Sequence, residues 1–223
     1  KAVEATSEGS LIDVSVHGAL RQLKLRLLGD FNVENALAAV AAMTAIEPAK
    51  AEQVLSATSH LQTAPGRMEC FQSPGSATVV VDYAHTPDAL DNVLKTIDSF
   101  RAGETQVITV VGCGGNRDKT KRPVMAKVAA QWSDRVFLTS DNPRNEDPDA
   151  IIADMRSGLD PIDAKKCIAI ADRREAIRMA AQIAQSGDIV LVAGKGHETY
   201  QEIKGIRHDF DDRDELFNAF KTA

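Results

Sequence analysis

The chain has 223 residues, a size that fits one large domain or two modest ones. Its formal charge of −6 disfavours a nucleic-acid binder and a basic protein of membrane surfaces. Apolar residues make up 43% of the sequence, but no run reaches the roughly 18 residues that a membrane-spanning helix needs. Three widely spaced cysteines disfavour a disulfide framework or a structural zinc site and favour a reducing cytoplasm. Because the sequence starts at Lys1 without Met or a targeting pattern, we interpret it as a fragment of a longer protein.

The first 64 residues predict two short strands followed by two helices. Period-2 alternation places the strands at 12–16 and 22–28, with a turn around His17–Gly18. An alanine-rich helix is expected over 32–46, capped by Asp30 or Asn32, and a second helix over 49–60. The segment 63–66 contains Pro and Gly and indicates a domain boundary or hinge.

From Arg67 onward, predicted strands alternate with predicted helices. Three of the strands contain continuous rather than alternating runs, at 79–81, 107–111 and 189–192, which is typical of parallel strands buried on both faces. We therefore predict a doubly wound α/β domain, whose ligands bind beyond the carboxyl ends of the strands. The predicted strands are 78–82, 106–112, 135–140, 167–171 and 188–193, and the predicted helices are 87–100, 123–132, 148–158 and 173–185.

Polar loops follow four of these strands. Because parallel strands end at the same edge of a sheet, we expect the loops to form one composite site. The glycine-rich loop lacks the Walker A pattern, and Arg117 replaces the third glycine of the dinucleotide fingerprint. The four loops comprise residues 82–87, 112–123, 141–148 and 194–198.

The second loop is basic, with Arg117, Lys119, Lys121 and Arg122 just ahead of a helix predicted to begin at Pro123. The positive end of a helix dipole disfavours cations there unless an anion joins them. The pattern therefore indicates a site for a carboxylate or phosphate, and a solvated basic loop is the alternative reading.

Six ordered motifs resemble the Mur ligase family, and within it the members that add meso-diaminopimelate. The resemblance extends over nearly the whole chain from about Leu11. The motifs are Gly29-Asp30-Phe31-Asn32-x-x-Asn35, Pro65-Gly66-Arg67-Met68-Glu69, Asp82-Tyr83-Ala84-His85-Thr86-Pro87, Gly112-x-Gly114-Gly115-x-Arg117-Asp118-x-x-Lys121-Arg122-Pro123, Asp141-Asn142-Pro143-Arg144 and Gly194-Lys195-Gly196-His197-Glu198.

The resemblance implies that residues 1–64 are the end of an α/β central ATP-binding domain. Residues 66–223 would form a C-terminal Rossmann-like domain that binds the incoming amino acid. The family reaction is ATP-dependent amide-bond formation in peptidoglycan synthesis, in which meso-diaminopimelate joins UDP-MurNAc-L-Ala-D-Glu through an acyl phosphate. The implied enzyme is a cytoplasmic monomer that binds ATP and Mg²⁺, without nucleic acid or membrane partners. Since Mg²⁺ and the P-loop belong mainly to other parts of such an enzyme, we expect no metal ligand in this chain and no activity from it alone.

The resemblance also implies roles for individual residues. Asn32, Asn35 and Arg67 correspond to residues that bind ATP. Asp82 and His85 correspond to a catalytic pair that closes over the ribose and phosphates, although an isolated His85 could equally be an ordinary turn histidine. Arginines suit the carboxylates of diaminopimelate, and Glu198 suits an ammonium group. The implied diaminopimelate pocket comprises Arg117, Asp141, Asn142, Pro143, Arg144, Gly194 and Glu198.

Two alternative functions remain open from the sequence. A lysine-adding or folylpolyglutamate-synthetase-like ligase would share the architecture, but lysine lacks the second carboxylate that Arg144 would bind. A non-catalytic Rossmann module for a dinucleotide or a regulatory ligand is disfavoured by the broken glycine fingerprint.

Overall fold

The computed structural model describes residues 2–6, 9–16, 18–75 and 77–222. The chain divides into two compact units, residues 1–64 and 65–223. None of the described helices is long and apolar enough to cross a membrane. All three cysteines are free thiols.

The first unit contains an antiparallel sheet with the order β1 (Ala2–Thr6), β2 (Gly9–Val16) and β3 (Ala19–Leu25). β1 was not predicted, and both β2 and β3 begin three residues earlier than expected. Of the predicted turn, His17 lies outside the described residues, and Gly18 has a positive φ of 82°.

Two helices complete the first unit, and their ends differ from the prediction. α1 (Asp30–Ile46) begins after an N-cap Gly29, so neither Asp30 nor Asn32 is the cap. Glycine suits this position because its φ of 88° is unfavourable for other residues. α2 (Ala51–Ala57) is shorter than predicted because a 3₁₀ turn lies on either side of it, at Pro48–Lys50 and Thr58–His60.

The second unit contains a six-stranded mixed sheet, which confirms the predicted α/β fold. Its strands are β4 (Glu69–Gln72), β5 (Thr78–Asp82), β6 (Val107–Cys113), β7 (Arg135–Ser140), β8 (Cys167–Ala169) and β9 (Ile189–Ala193). The spatial order is β4-β5-β9-β6-β7-β8. All neighbours are parallel except β4, an unpredicted edge strand that runs antiparallel to β5.

Among the described residues, five α-helices and the 3₁₀ helix Asp163–Lys166 accompany this sheet. Thr86 and Asp147 cap the helices that begin at Pro87 and Pro148, and both helices begin where predicted. The helix predicted to begin at Pro123 begins two residues earlier, at Lys121. The helices are α3 (Pro87–Phe100), α4 (Lys121–Trp132), α5 (Pro148–Arg156), α6 (Arg173–Ile183) and α7 (Asp212–Thr222).

The sequence did not predict α7 or the hairpin of β10 (Tyr200–Ile203) and β11 (Ile206–Asp209) that precedes it. Every residue of β5, β6 and β9 is buried, as expected for strands covered on both faces. On one face, Val79 and Val190 share a core with Ile177 of α6 and Leu216 of α7. Polar loops follow the carboxyl ends of β5, β6, β7 and β9.

Candidate functional site at the carboxyl edge of the second unit

The four polar loops lie together at one edge of the sheet, because β5, β9, β6 and β7 are parallel and adjacent. Backbone hydrogen bonds join them in pairs. Gly194 N donates to Asp82 O over 3.0 Å, and Gly115 N donates to Asn142 O over 2.9 Å. The composite edge that the sequence predicted is therefore present.

Two glycines permit these close approaches. A Cβ atom on Gly115 would lie 1.9 Å from the carbonyl oxygen of Pro143, so a side chain there would separate the two loops. Gly194 has a φ of 117°, and a Cβ atom on it would lie 2.7 Å from Asp141 Oδ2. Both glycines therefore allow neighbouring loops to pack closely in this structure. The incomplete dinucleotide fingerprint did not predict this role.

Arg144 is held in the left-handed region, with a φ of 53°. Its backbone N–H donates to Glu202 O over 2.9 Å, and its carbonyl accepts from Lys204 N over 2.7 Å, which joins this loop to β10. Its Nη1 donates to Gly115 O over 2.9 Å, and its Nε lies 3.7 Å from Glu202 Oε2. Arg144 therefore has structural contacts that the sequence did not suggest, while its Nη2 has no partner among the described residues.

Asp141 and Asn142 are both buried next to Arg144. Asp141 Oδ1 accepts from the backbone N–H of Asn142 over 2.7 Å. The Asp141 carbonyl accepts from Gln201 Nε2, also over 2.7 Å. The hairpin that contains β10 thus completes the site, a contribution that no sequence motif indicated.

Glu198 lies in a network with Asn142 and a buried lysine. Asn142 Nδ2 donates to Glu198 Oε2 over 2.8 Å, and Lys195 Nζ donates to the same oxygen over 3.1 Å. The sequence placed Glu198 as a partner for a ligand ammonium group but did not assign a role to Lys195. The i, i+3 spacing within the Gly-Lys-Gly-His-Glu motif is the signal that could have suggested this pair.

The basic loop is largely neutralised from within the chain. Arg122 is 1% exposed, and its Nη atoms contact Glu146 at 3.0 and 3.1 Å and Asp154 at 2.8 Å. Lys119 Nζ also lies 3.1 Å from Glu146. The hydrogen bonds from Arg122 are the main reason that the pKa of Glu146 falls to about 2. The prediction of an anion site formed by all four cations is therefore too broad.

The two remaining cations of the basic loop, Lys121 and Arg117, differ in whether they have a partner. Lys121 Nζ donates to His85 O over 2.7 Å, which joins this loop to the one after β5. Arg117 is exposed and has no hydrogen bond or ion pair within the described part of the chain. Of the four cations, Arg117 is thus the one whose guanidinium group is free for a ligand.

Asp82 is a buried backbone-binding residue. Its Oδ2 accepts from Met68 N over 2.7 Å, and Met68 has a left-handed φ of 45°. Burial raises the pKa of Asp82. The hydrogen bonds from the N–H groups of Met68 and Ala84 and the charge of Arg67 lower it, but by less. The Asp82 side chain therefore holds the backbone at Met68, just before β4, and it shares no hydrogen bond with His85.

His85 is exposed and belongs to a cluster around Tyr83. The ring centroids of Tyr83 and His85 are 4.6 Å apart, and those of Tyr83 and His197 are 5.2 Å apart. Arg67 Cζ lies 4.7 Å from the Tyr83 centroid. Tyr83 is the centre of this exposed aromatic and cationic surface, although the sequence assigned it no role.

The two asparagines predicted to bind ATP lie in the first unit. Asn32 is half-buried, and its Nδ2 donates to Leu28 O over 2.8 Å. Asn35 is exposed in the first turns of α1 and has no partner within the described residues. Asn35 is therefore the freer of the two amides.

Comparisons with known proteins agree with this architecture. The family described as Mur ligase, glutamate ligase domain, matches residues 66–196. A UDP-N-acetylmuramoyl-L-alanyl-D-glutamate--2,6-diaminopimelate ligase of Bacteroides thetaiotaomicron is 52% identical over 220 residues, which are 99% of this chain and 45% of the relative. The chain thus spans less than half the length of this relative.

Solved structures show the same fold. A structure of a UDP-N-acetylmuramoyl-L-alanyl-D-glutamate--2,6-diaminopimelate ligase matches with a TM-score of 0.74 and 44% identity, over 99% of this chain and 44% of that one. A folylpolyglutamate synthase of Mycobacterium tuberculosis, complexed with ADP and AMPPCP, matches with a TM-score of 0.66. At 19% identity, over 87% of this chain and 44% of that one, it is similar in fold alone.

Proposed function

Because this chain belongs to the Mur ligase family, we propose that it forms the amino-acid-binding part of an ATP-dependent amide ligase of peptidoglycan synthesis. The ligase adds meso-diaminopimelate to UDP-MurNAc-L-Ala-D-Glu. Residues 1–64 are the end of its central ATP-binding domain, and residues 66–223 are its C-terminal domain. The 52% identity over 99% of the chain to a diaminopimelate ligase supports this choice of substrate.

One observation carries the proposal: charged groups that retain unpartnered atoms lie together at the carboxyl edge of the sheet. Arg117 and the Nη2 atom of Arg144 have no partner within the described residues, and Glu198 Oε1 has none there either. A carboxylate and an ammonium group on one carbon match this arrangement, because arginine binds carboxylates in a fork and Glu198 attracts a cation. The pocket is therefore suited to one zwitterionic end of an amino acid.

Diaminopimelate has two such ends, and this explains how the pocket serves the reaction. While one end is bound by Arg144 and Glu198, the amine of the other end remains free to attack. Its nitrogen forms a bond to the acyl carbon of the phosphorylated D-glutamate side chain, and phosphate leaves. Such a reaction depends on alignment of the reactants and on neutralisation of charge. The contribution of this chain is to hold the nucleophile.

For ATP, the exposed surface around Tyr83 is chemically suitable. Arg67 supplies a positive charge for phosphate, and His85 and His197 supply further donors beside an aromatic ring. In the first unit, the exposed amide of Asn35 is suited to hydrogen bonding with a base. No three His, Cys, Asp or Glu side chains positioned to hold a metal occur among the described residues.

A ligase assay with the full-length enzyme that contains this chain tests the proposal. With ATP and UDP-MurNAc-L-Ala-D-Glu, we expect ADP and the tripeptide product with meso-diaminopimelate, and at least about 100-fold lower kcat/KM with L-lysine. Omission of each substrate in turn is the control. Equal rates with the two amino acids would favour a lysine-adding ligase, and binding of NAD without any turnover would favour a non-catalytic module.

A further inference from the structure

The side chain of Lys195 is 0% exposed, although it belongs to a loop of the candidate site. Its Nζ lies 3.1 Å from Glu198 Oε2 and 3.3 Å from Asn142 Oδ1. It also lies 5.5 Å from the ring centroid of Tyr200. An ammonium group removed from water without partners is strongly unfavourable, so these contacts are required wherever Lys195 is buried.

Lys195 also helps to fix the side-chain amide of Asn142. The amide oxygen accepts from Lys195 Nζ and from the backbone N–H of Glu202, which lies 2.9 Å away. Both groups can only donate, so the oxygen must face them and the amide nitrogen must face Glu198. The orientation of Asn142 therefore follows from its neighbours.

The result is that Glu198 is held by one oxygen. Oε2 accepts from both Asn142 and Lys195, whereas Oε1 has no partner within the described residues. The Glu198 side chain is 19% exposed, so the carboxylate borders solvent while its buried oxygen is fixed. This geometry presents Oε1 in a single orientation.

Resting on the proposed function, we propose that Lys195 is a positioning residue that fixes Glu198 so that Oε1 receives the ammonium group of the amino-acid substrate. Because Lys195 is buried, it acts through Glu198 and Asn142 and does not touch the substrate. A carboxylate that is already oriented loses less conformational entropy when it binds a cation. If the ion pair between Lys195 and Glu198 were purely structural, its loss would lower stability without selectively weakening the binding of the amino acid.

The test is Lys195→Met in the full-length enzyme, with Lys127→Met, an exposed lysine of α4, as the matched control. We expect the KM for meso-diaminopimelate to rise at least about tenfold, which corresponds to the loss of one interaction of ordinary strength. The KM for ATP should change less than about twofold. Lys127→Met should leave both constants unchanged. Lys195→Gln keeps a hydrogen-bond donor without the charge and should give an intermediate KM. If Lys195→Met does not fold, the same measurement is made on Lys195→Gln.

A double-mutant cycle separates positioning from simple stabilisation. In a Glu198→Gln background, Lys195→Met should raise the KM for diaminopimelate less than about twofold further, because the carboxylate that Lys195 orients is gone. An unchanged KM in Lys195→Met, or full additivity with Glu198→Gln, would overturn the role of Lys195 alone. A wild-type enzyme that does not use diaminopimelate would instead overturn the proposed function, and this inference with it.

Discussion

The guanidinium group of Arg173 donates two hydrogen bonds of 2.8 Å to the carboxylate of Asp212, and both side chains are 0% exposed. The same guanidinium donates to Ser140 O over 3.3 Å and to Ala193 O over 3.0 Å. Ser140 and Ala193 end β7 and β9, so each precedes a loop of the candidate site by one residue. The pair thus connects the starts of α6 and α7 to two strand ends that precede loops of the candidate site.

We predict that Asp212→Ala destabilises the chain by about 3–5 kcal/mol, because it leaves the buried charge of Arg173 without its partner. The double replacement Arg173→Met with Asp212→Leu should cost less than the single one, since it leaves no unpaired charge. Urea unfolding measures both changes. A double variant less stable than Asp212→Ala would show that the backbone contacts of Arg173, and not charge pairing, dominate.

Arg144 is predicted to select diaminopimelate over lysine. In the full-length enzyme, Arg144→Ala should lower kcat/KM for meso-diaminopimelate by about two orders of magnitude or more, because a charged hydrogen-bonded contact is lost. The loss for lysine should be much smaller. Arg144→Lys should restore activity only in part, because an ammonium group cannot form the two parallel bonds of a guanidinium.

The control for Arg144 is Arg156→Ala, an exposed arginine in the last turn of α5. Arg144 Nη1 also binds Gly115 O, so its removal could disturb the glycine loop for either substrate. Steady-state rates with both amino acids separate these effects. Equal losses for the two would mean that Arg144 shapes the loop and does not bind the carboxylate.

Asp82 and His85 should behave differently when replaced, although they share a loop. Asp82→Ala leaves the buried N–H of Met68 without its acceptor, which should cost about 1–3 kcal/mol of stability. His85 is exposed, so His85→Ala should change stability by less than about 0.5 kcal/mol. In the full-length enzyme, both should lower turnover more than affinity for diaminopimelate. Thermal unfolding and steady-state kinetics check these effects. A raised KM for the amino acid with an unchanged kcat would argue against the assignment of Asp82 and His85 to nucleotide binding.

The contacts of Glu146 should make stability depend on pH in the acid range. The pKa of Glu146 falls from 4.5 to about 2 in the folded chain, mainly through hydrogen bonds from Arg122. The folded state therefore gains stability from the ionised carboxylate above pH 4.5, and this gain is lost as the pH falls towards 2. Glu146→Gln should lower the Tm at pH 7, and the difference from wild type should shrink across that window. A difference independent of pH would show that the carboxylate charge contributes nothing.

Local sequence was sufficient for much of the fold. The bounds of β5, β7 and α3 agree with the prediction. The valine run of β5 marks a buried parallel strand, and Pro87 marks a helix start. The hairpin of β10 and β11 was missed because most of its strand residues are exposed, the others are only partly buried, and they form no apolar run. Its position depends on the bonds from Gln201 and Glu202 to the loop after β7, which are contacts across the fold.

By itself, the sequence determined the family motifs and the sheet edge at which four of them meet, because these depend on residue type and on the direction of parallel strands. Only the tertiary structure decided which charges are free. Arg122 is paired with Glu146, 24 residues away, and Lys195 contacts Asn142, 53 residues away, whereas Arg117 has no partner in the described part of the chain. The physical reason is that a charge is neutralised by whichever groups the fold brings within hydrogen-bonding distance, and such distances are set by packing and not by spacing along the chain.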